Sequence, residues 1–213
     1  MSDAPSSLPA RPRHPLGLPA GSVRALLSMM ILGLFWLLLV VPEQPGKNPI
    51  HVPLAVYCLL ALVFHFFGAH GSSIPPSSAG QPAPWHLPRG TFRLLMALGT
   101  AAVVGYEYWF EYVRMIARLT PPLDKDQLAA WPYLLGSLGG GFFFGMILRL
   151  GPWRNSAAYQ DILAWISLLS VLGLAVEILL HVVINPTMTM PIDTMTFECI
   201  LIAIVSCYFG ARS

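Results

Sequence analysis

Six long apolar runs, separated by short polar or proline-containing breaks, constrain the fold of this chain more than any other feature. They lie at about 23–41, 50–69, 91–112, 131–150, 159–184 and 194–210. Each run is close to the ~20 residues with which an α-helix crosses the hydrocarbon core of a bilayer. Only 10% of the 213 residues are charged and 55% are hydrophobic, an apolar surface too large for a soluble domain to bury. The sequence therefore predicts an all-α polytopic membrane bundle of six transmembrane helices surrounded by a lipid bilayer.

Two stretches outside the apolar runs have a different composition. Residues 1–20 are rich in proline, with no apolar periodicity, which predicts a disordered tail. Residues 71–86 are rich in Pro, Ser and Gly and predict a linker between the second and third helices. The transmembrane domain is accordingly assigned to residues 21–213.

The distribution of Lys and Arg predicts the orientation in the membrane. If the N-terminus is cytoplasmic, eight of the 12 Lys and Arg residues fall on the cytoplasmic side and the other four fall outside. This favours a cytoplasmic tail and linker, with both termini in the cytoplasm. A net charge of +2 gives no reason to expect nucleic acid as a partner.

A short phrase occurs twice, each time at the start of an apolar run. Leu18, Pro19, Gly21, Ser22, Arg24 and Leu26 recur 69 residues later as Leu87, Pro88, Gly90, Thr91, Arg93 and Leu95. An arginine in the first turn of a helix opposes the helix dipole. We therefore expect Arg24 and Arg93 to bind lipid phosphate at the cytoplasmic surface. The repetition also suggests descent from a duplicated helical hairpin.

Five ionisable residues are expected at one depth, in the outer third of the bilayer. Glu107 with Glu111, and Glu177 with His181, are spaced four apart, so each pair shares one helix face. Glu198 lies near the outer start of the sixth run. Two interpretations stay open: a proton or cation pathway, or an outer interface with the aromatic belt of Tyr106, Tyr108, Trp109 and Tyr112. No metal is assigned, because the Glu-x-x-His pattern of metal-binding helical bundles is absent.

The fourth run contains four closely spaced glycines, Gly136, Gly140, Gly141 and Gly145. They form two overlapping Gly-x-x-x-Gly steps, a spacing that lets helix backbones approach closely in lipid. The pattern predicts a helix-packing seam, with a hinge or a break lining a pore as the alternative.

The opening phrase Pro19 to Arg24 and the ending Tyr208 to Arg212 resemble those of uncharacterised multi-span membrane proteins of bacteria. The resemblance covers about a tenth of the chain. It implies an all-helical bundle in the bacterial inner membrane. It brings no known activity and no functional residues.

Function is only weakly indicated by the sequence, which contains no nucleophile, phosphate-loop or zinc-protease motif. We expect a protein without enzymatic activity and without a cofactor. It would act as a scaffold or accessory subunit that contacts other membrane proteins or associates with itself. The alternative is a small proton- or cation-conducting transporter or channel that uses the five ionisable residues.

Overall fold

All regular secondary structure in the described part of the chain is helical, which confirms the all-α class. The computed structural model describes residues 22–42, 50–69, 90–121, 125–188 and 192–212. The predicted tail 1–20 and linker 71–86 lie outside these ranges. The α-helices are α1 (Ser22–Val40), α2 (Leu54–Ala69), α3 (Thr91–Phe110), α4 (Tyr112–Leu119), α5 (Lys125–Leu150), α6 (Ala157–Ile178) and α7 (Met195–Arg212).

Within the described ranges, four helices are long and apolar enough to cross a membrane. They comprise Ser22–Val40, Ala129–Leu150, Ala157–Thr187 and Met195–Arg212. These segments match the first, fourth, fifth and sixth predicted runs and confirm that the protein is built from transmembrane-type helices. More than half of the apolar window is buried in the first and last of them, so α1 and α7 form the centre of the bundle.

The second and third runs differ from the prediction. Helix α2 begins at Leu54 rather than at residue 50, because the preceding residues are extended and the Val52 amide donates to the Arg118 carbonyl at 3.1 Å. Helix α3 ends at Phe110, since Glu111 leaves the helical conformation with φ −140° and ψ 39°. The separate helix α4 follows and continues through Arg118 to Leu119, beyond the end of the third predicted run at residue 112.

Contacts between helix termini show how the chain alternates in direction. The Arg24 guanidinium donates to the Arg212 carbonyl at 3.2 Å and lies 4.8 Å from the centre of the Phe66 ring. The Tyr159 hydroxyl donates to the Ala211 carbonyl at 3.4 Å. The starts of α1 and α6 therefore lie beside the ends of α2 and α7. We call this end of the bundle the Arg24 end.

These contacts give Arg24 a partner within the protein, and its binding to lipid phosphate stays a prediction. Arg24 is partly buried, and its donor reaches a backbone carbonyl at the carboxyl end of α7, where a positive charge offsets the helix dipole. Arg93 is exposed, and its guanidinium lies 5.7 Å from the Phe67 ring centre. Binding of Arg93 to lipid phosphate stays a prediction.

Two of the four glycines form a seam between α5 and α7. A β-carbon at Gly141 would collide with the Ala203 carbonyl, and one at Gly145 would collide with the Cys207 carbonyl. Because the residue numbers rise together on both sides, α5 and α7 are parallel. Gly141 and Gly145 therefore lie where the two backbones approach closely. A β-carbon at Gly136 or Gly140 would have nothing within 4 Å among the described residues, so a role of these two glycines in helix packing stays a prediction.

At the opposite end of the bundle, the buried Arg118 joins α4 to the end of α1. Its side chain is 1% exposed and donates to the carbonyls of Leu38 at 2.9 Å and Val41 at 2.6 Å. It also donates to the Leu39 carbonyl. The end of α4 therefore satisfies the final carbonyls of α1, which have no partner within their own helix. We call this the Arg118 end.

Candidate functional site

The five ionisable residues predicted to share one layer fall into two groups in the structure. Glu107 and Glu111 lie with Arg114, on α3, at the α3–α4 break and on α4. Glu177, His181 and Glu198 form the second group, between α6 and α7. Among the described residues, only the second group brings three possible ligand atoms within 4.8 Å of one another.

Arg114 pairs with both carboxylates of the first group. Its Nη2 atom lies 3.0 Å from both carboxylate oxygens of Glu107, whose side chain is fully buried. Its Nη1 atom lies 3.9 Å from Glu111, whose side chain is 48% exposed. The break at Glu111 brings Arg114 to a carboxylate seven residues earlier, a pairing that a continuous helix does not favour. This group has the partners a buried carboxylate requires for a purely structural role.

The second group consists of three side chains from consecutive segments. The His181 Nε2 atom lies 3.0 Å from Glu177 Oε1 and 3.3 Å from Glu198 Oε1. Glu177 is fully buried, Glu198 is 8% exposed, and the His181 side chain is 11% exposed. We call these three residues the Glu–His–Glu cluster.

Local structure explains why these side chains meet. After Ile178 the helix widens into the π-helical segment Leu179–Ile184, which carries His181. Here the Asn185 amide donates to the Leu180 carbonyl, five residues back. Such insertions are rare and occur frequently at functional sites. The chain then reverses, so α7 runs antiparallel to α6 and places Glu198, in its first turn, beside the π-helical segment.

Thr194 orients the third member of the cluster. It precedes the first residue of α7, and its hydroxyl donates to Glu198 Oε1 at 2.6 Å. The Glu198 amide donates back to the Thr194 carbonyl at 2.8 Å. The position of the Glu198 carboxylate is therefore set from the start of α7.

Burial of the Glu177 carboxylate is the most costly feature of the cluster. Neither of its carboxylate oxygens has a hydrogen-bond partner among the described residues, and the Nε2 atom of His181 likewise has none. The Nε2 atom of His181 nevertheless lies at ion-pair distance from Glu177 Oε1, 3.0 Å. When His181 is neutral, the two carboxylate charges of this buried cluster have no compensating charge within it, which costs several kcal/mol. A proton or a cation shared between the three side chains would remove that cost.

The sequence analysis did not identify two residues that form important contacts, Thr194 and Arg118. Thr194 lies four residues before Glu198, and this helix-start spacing is a signal that could have identified it. The contacts of Arg118 carry no such signal, because its acceptors lie about 80 residues away in sequence.

Comparison with known proteins identifies no relative of this chain. No protein-family model matches the chain. No curated protein and no solved structure matches it significantly.

Proposed function

We propose that the protein crosses a bacterial inner membrane six times, with both termini in the cytoplasm. The alternating end contacts support this arrangement, since the starts of α1 and α6 lie with the ends of α2 and α7. Helix α2 and the α3–α4 pair would supply the two spans that are shorter or more polar than the other four. The distribution of Lys and Arg along the sequence supports a cytoplasmic position for the Arg24 end.

Labelling of single cysteines tests this topology. In a background without Cys58, Cys199 and Cys207, Lys47→Cys should react with an impermeant maleimide from outside the cell, and Ser213→Cys should react only after permeabilisation. Reaction of both positions from the same side would refute the proposed topology.

We infer that the protein handles a small cation, as a transporter or channel, and that the Glu–His–Glu cluster binds it. The observation that carries this function is the fully buried Glu177 carboxylate, whose oxygens have no hydrogen-bond partner in the described part of the chain. Intramembrane carboxylates of this kind mark ion and proton pathways. The three side chains carry two formal negative charges when His181 is neutral, so a cation complements them.

A scaffold or accessory subunit, the first expectation from the sequence, is a weaker match to this cluster. A scaffold needs packed helices and exposed surfaces, and leucine at position 177 would meet that need at lower cost in free energy. The paired Glu107, by contrast, is fully compatible with a structural role. The cluster, rather than the helical frame, favours cation handling.

Flux into liposomes tests the function. Purified wild-type protein should admit protons or a cation, measured with fluorescent indicators inside the vesicles across a series of ions. Glu177→Gln, which keeps the shape and removes the charge, should abolish that flux. The matched control is Glu111→Gln, because Glu111 is an exposed carboxylate outside the cluster. No flux from the wild type for any ion, or equal flux from Glu177→Gln, would refute the proposal and favour the scaffold.

A further inference from the structure

The distances within the Glu–His–Glu cluster are those between ligands around a metal ion. Imidazole nitrogen and carboxylate oxygen bind zinc at about 2.0–2.2 Å. Two ligands at about 2.1 Å that subtend about 90–110° at the ion lie roughly 3.0–3.4 Å apart. The two contacts made by His181 Nε2, at 3.0 Å and 3.3 Å, fall in this interval.

The grouping of the three side chains agrees with a shared ion. One ring nitrogen of His181 and one oxygen of each carboxylate lie within 4.8 Å of one another, so all three side chains can supply a ligand to a single ion. The hydroxyl of Thr194 donates to Glu198 Oε1 at 2.6 Å, and outer hydrogen bonds of this kind commonly hold metal-binding carboxylates in place.

The donor set selects the class of ion. Ca²⁺ takes six to eight oxygen ligands and Mg²⁺ also prefers oxygen, whereas this cluster offers two carboxylates and one imidazole. Imidazole suits Zn²⁺, Fe²⁺, Ni²⁺ and Cu²⁺. With three protein ligands, at least one coordination position stays open for water or for a ligand exchanged during transport.

We propose that Glu177, His181 and Glu198 form a binding site for one divalent first-row transition-metal ion, with Thr194 as the outer hydrogen-bond donor. The inference rests on the proposed function, because it names the cation of the same site. The fully buried carboxylate of Glu177 is a charge that the ion would neutralise when His181 is neutral.

Direct binding of Zn²⁺ and Co²⁺ to the purified protein tests the site. The protein is prepared in detergent without a histidine tag, stripped with a chelator, and titrated with Zn²⁺ in competition with a chromophoric chelator. One ion should bind per chain. Glu177→Gln and Glu198→Gln should each raise the Kd more than about 100-fold, and Thr194→Val should raise it by about 10–100-fold, the range seen for outer-shell substitutions.

Two matched controls address adventitious binding to other side chains. His65→Gln and Glu111→Gln remove an exposed histidine and a half-exposed carboxylate outside the cluster, and neither should change the Kd. Weak binding of several ions per chain, or a Kd indifferent to Glu177→Gln, would overturn the inference.

A spectroscopic measurement on wild-type protein keeps the test independent of how well the variants fold. X-ray absorption of bound Zn²⁺ and the visible spectrum of bound Co²⁺ should indicate nitrogen and oxygen ligands. Sulfur ligation by a cysteine, or failure of either ion to bind, would overturn the inference.

Failure of this inference and failure of the proposed function are distinguishable. Stoichiometric metal binding without flux in liposomes would retain the site and refute transport. Proton flux that needs Glu177 but no metal would retain the proposed function and refute the metal site.

Discussion

Substitution of Arg118 should destabilise the fold strongly, because one side chain serves two carbonyls in the last turn of α1 and one just beyond it. Arg118 is 1% exposed, and its guanidinium donates to the carbonyls of Leu38, Leu39 and Val41. Arg118→Met keeps the apolar length and removes every donor. A hydrogen bond from a charged donor contributes about 1.5–3 kcal/mol, so three bonds at the lower value correspond to about 4.5 kcal/mol. Rehydration of carbonyls near a helix end recovers part of this, and we expect a net loss of about 3–4 kcal/mol.

The assay is reversible unfolding in mixed micelles, followed by tryptophan fluorescence as the denaturing detergent is increased. Arg118→Lys should lose about half as much free energy of unfolding, because an ammonium keeps the charge but lacks the planar set of donors. Arg93→Met is the matched control, since Arg93 is exposed, and its loss should stay below about 1 kcal/mol. A loss below about 1 kcal/mol for Arg118→Met, or losses equal to those of Arg93→Met, would refute the reasoning.

Three further predictions follow from the described contacts. Gly145→Ala should cost about 1–3 kcal/mol of unfolding free energy, because the added methyl group collides with α7. Gly140→Ala should instead gain about 0.5–1 kcal/mol from helix propensity. Equal effects of the two substitutions in the same micelle assay would contradict the seam. Glu107→Gln should cost about 2–3 kcal/mol of unfolding free energy, which is below the full value for a buried pair because the Arg114 side chain is 24% exposed. A double-mutant cycle with Arg114→Gln should show that the two losses are coupled. Additive losses would contradict the pairing of Glu107 with Arg114. In thermal melts, Zn²⁺ at 100 times its Kd should stabilise the wild type by about 2.7 kcal/mol. Glu177→Leu should melt no lower than the metal-free wild type, and Zn²⁺ should not raise its melting temperature. Equal shifts with Zn²⁺ for both proteins would contradict the metal site.

The candidate site shows which side-chain contacts residue spacing can predict and which it cannot. The separation of four residues correctly places Glu177 and His181 in contact, since their spacing acts within one continuous helical segment. The depth estimate places Glu198 near them, as the structure does. Spacing gives no lateral information, however. Glu107 and Glu111 were therefore grouped with residues from which the structure separates them, and Glu107 instead has Arg114 as its partner.

Helix packing shows the same difference between what local spacing predicts and what contacts between helices decide. The glycine spacing predicts a seam, but four glycines on adjacent turns point in different directions, and only contact with α7 distinguishes Gly141 and Gly145 from Gly136 and Gly140. The charge of Arg24 likewise suggested lipid phosphate. The nearby carbonyl of Arg212, 188 residues away in sequence, is its partner in the fold.

The sequence alone determines the helical class and the membrane character of this protein, because both depend on the length and apolarity of local runs. It also determines which faces can carry charge, through the period of the helix. The tertiary structure decides which of those charges are paired. Arg114 neutralises Glu107, and the packing of α7 against α6 brings Glu198 to Glu177 and His181. The first pair depends on the break in the helix at Glu111, and the second group depends on contact between two helices. A local sequence pattern encodes neither.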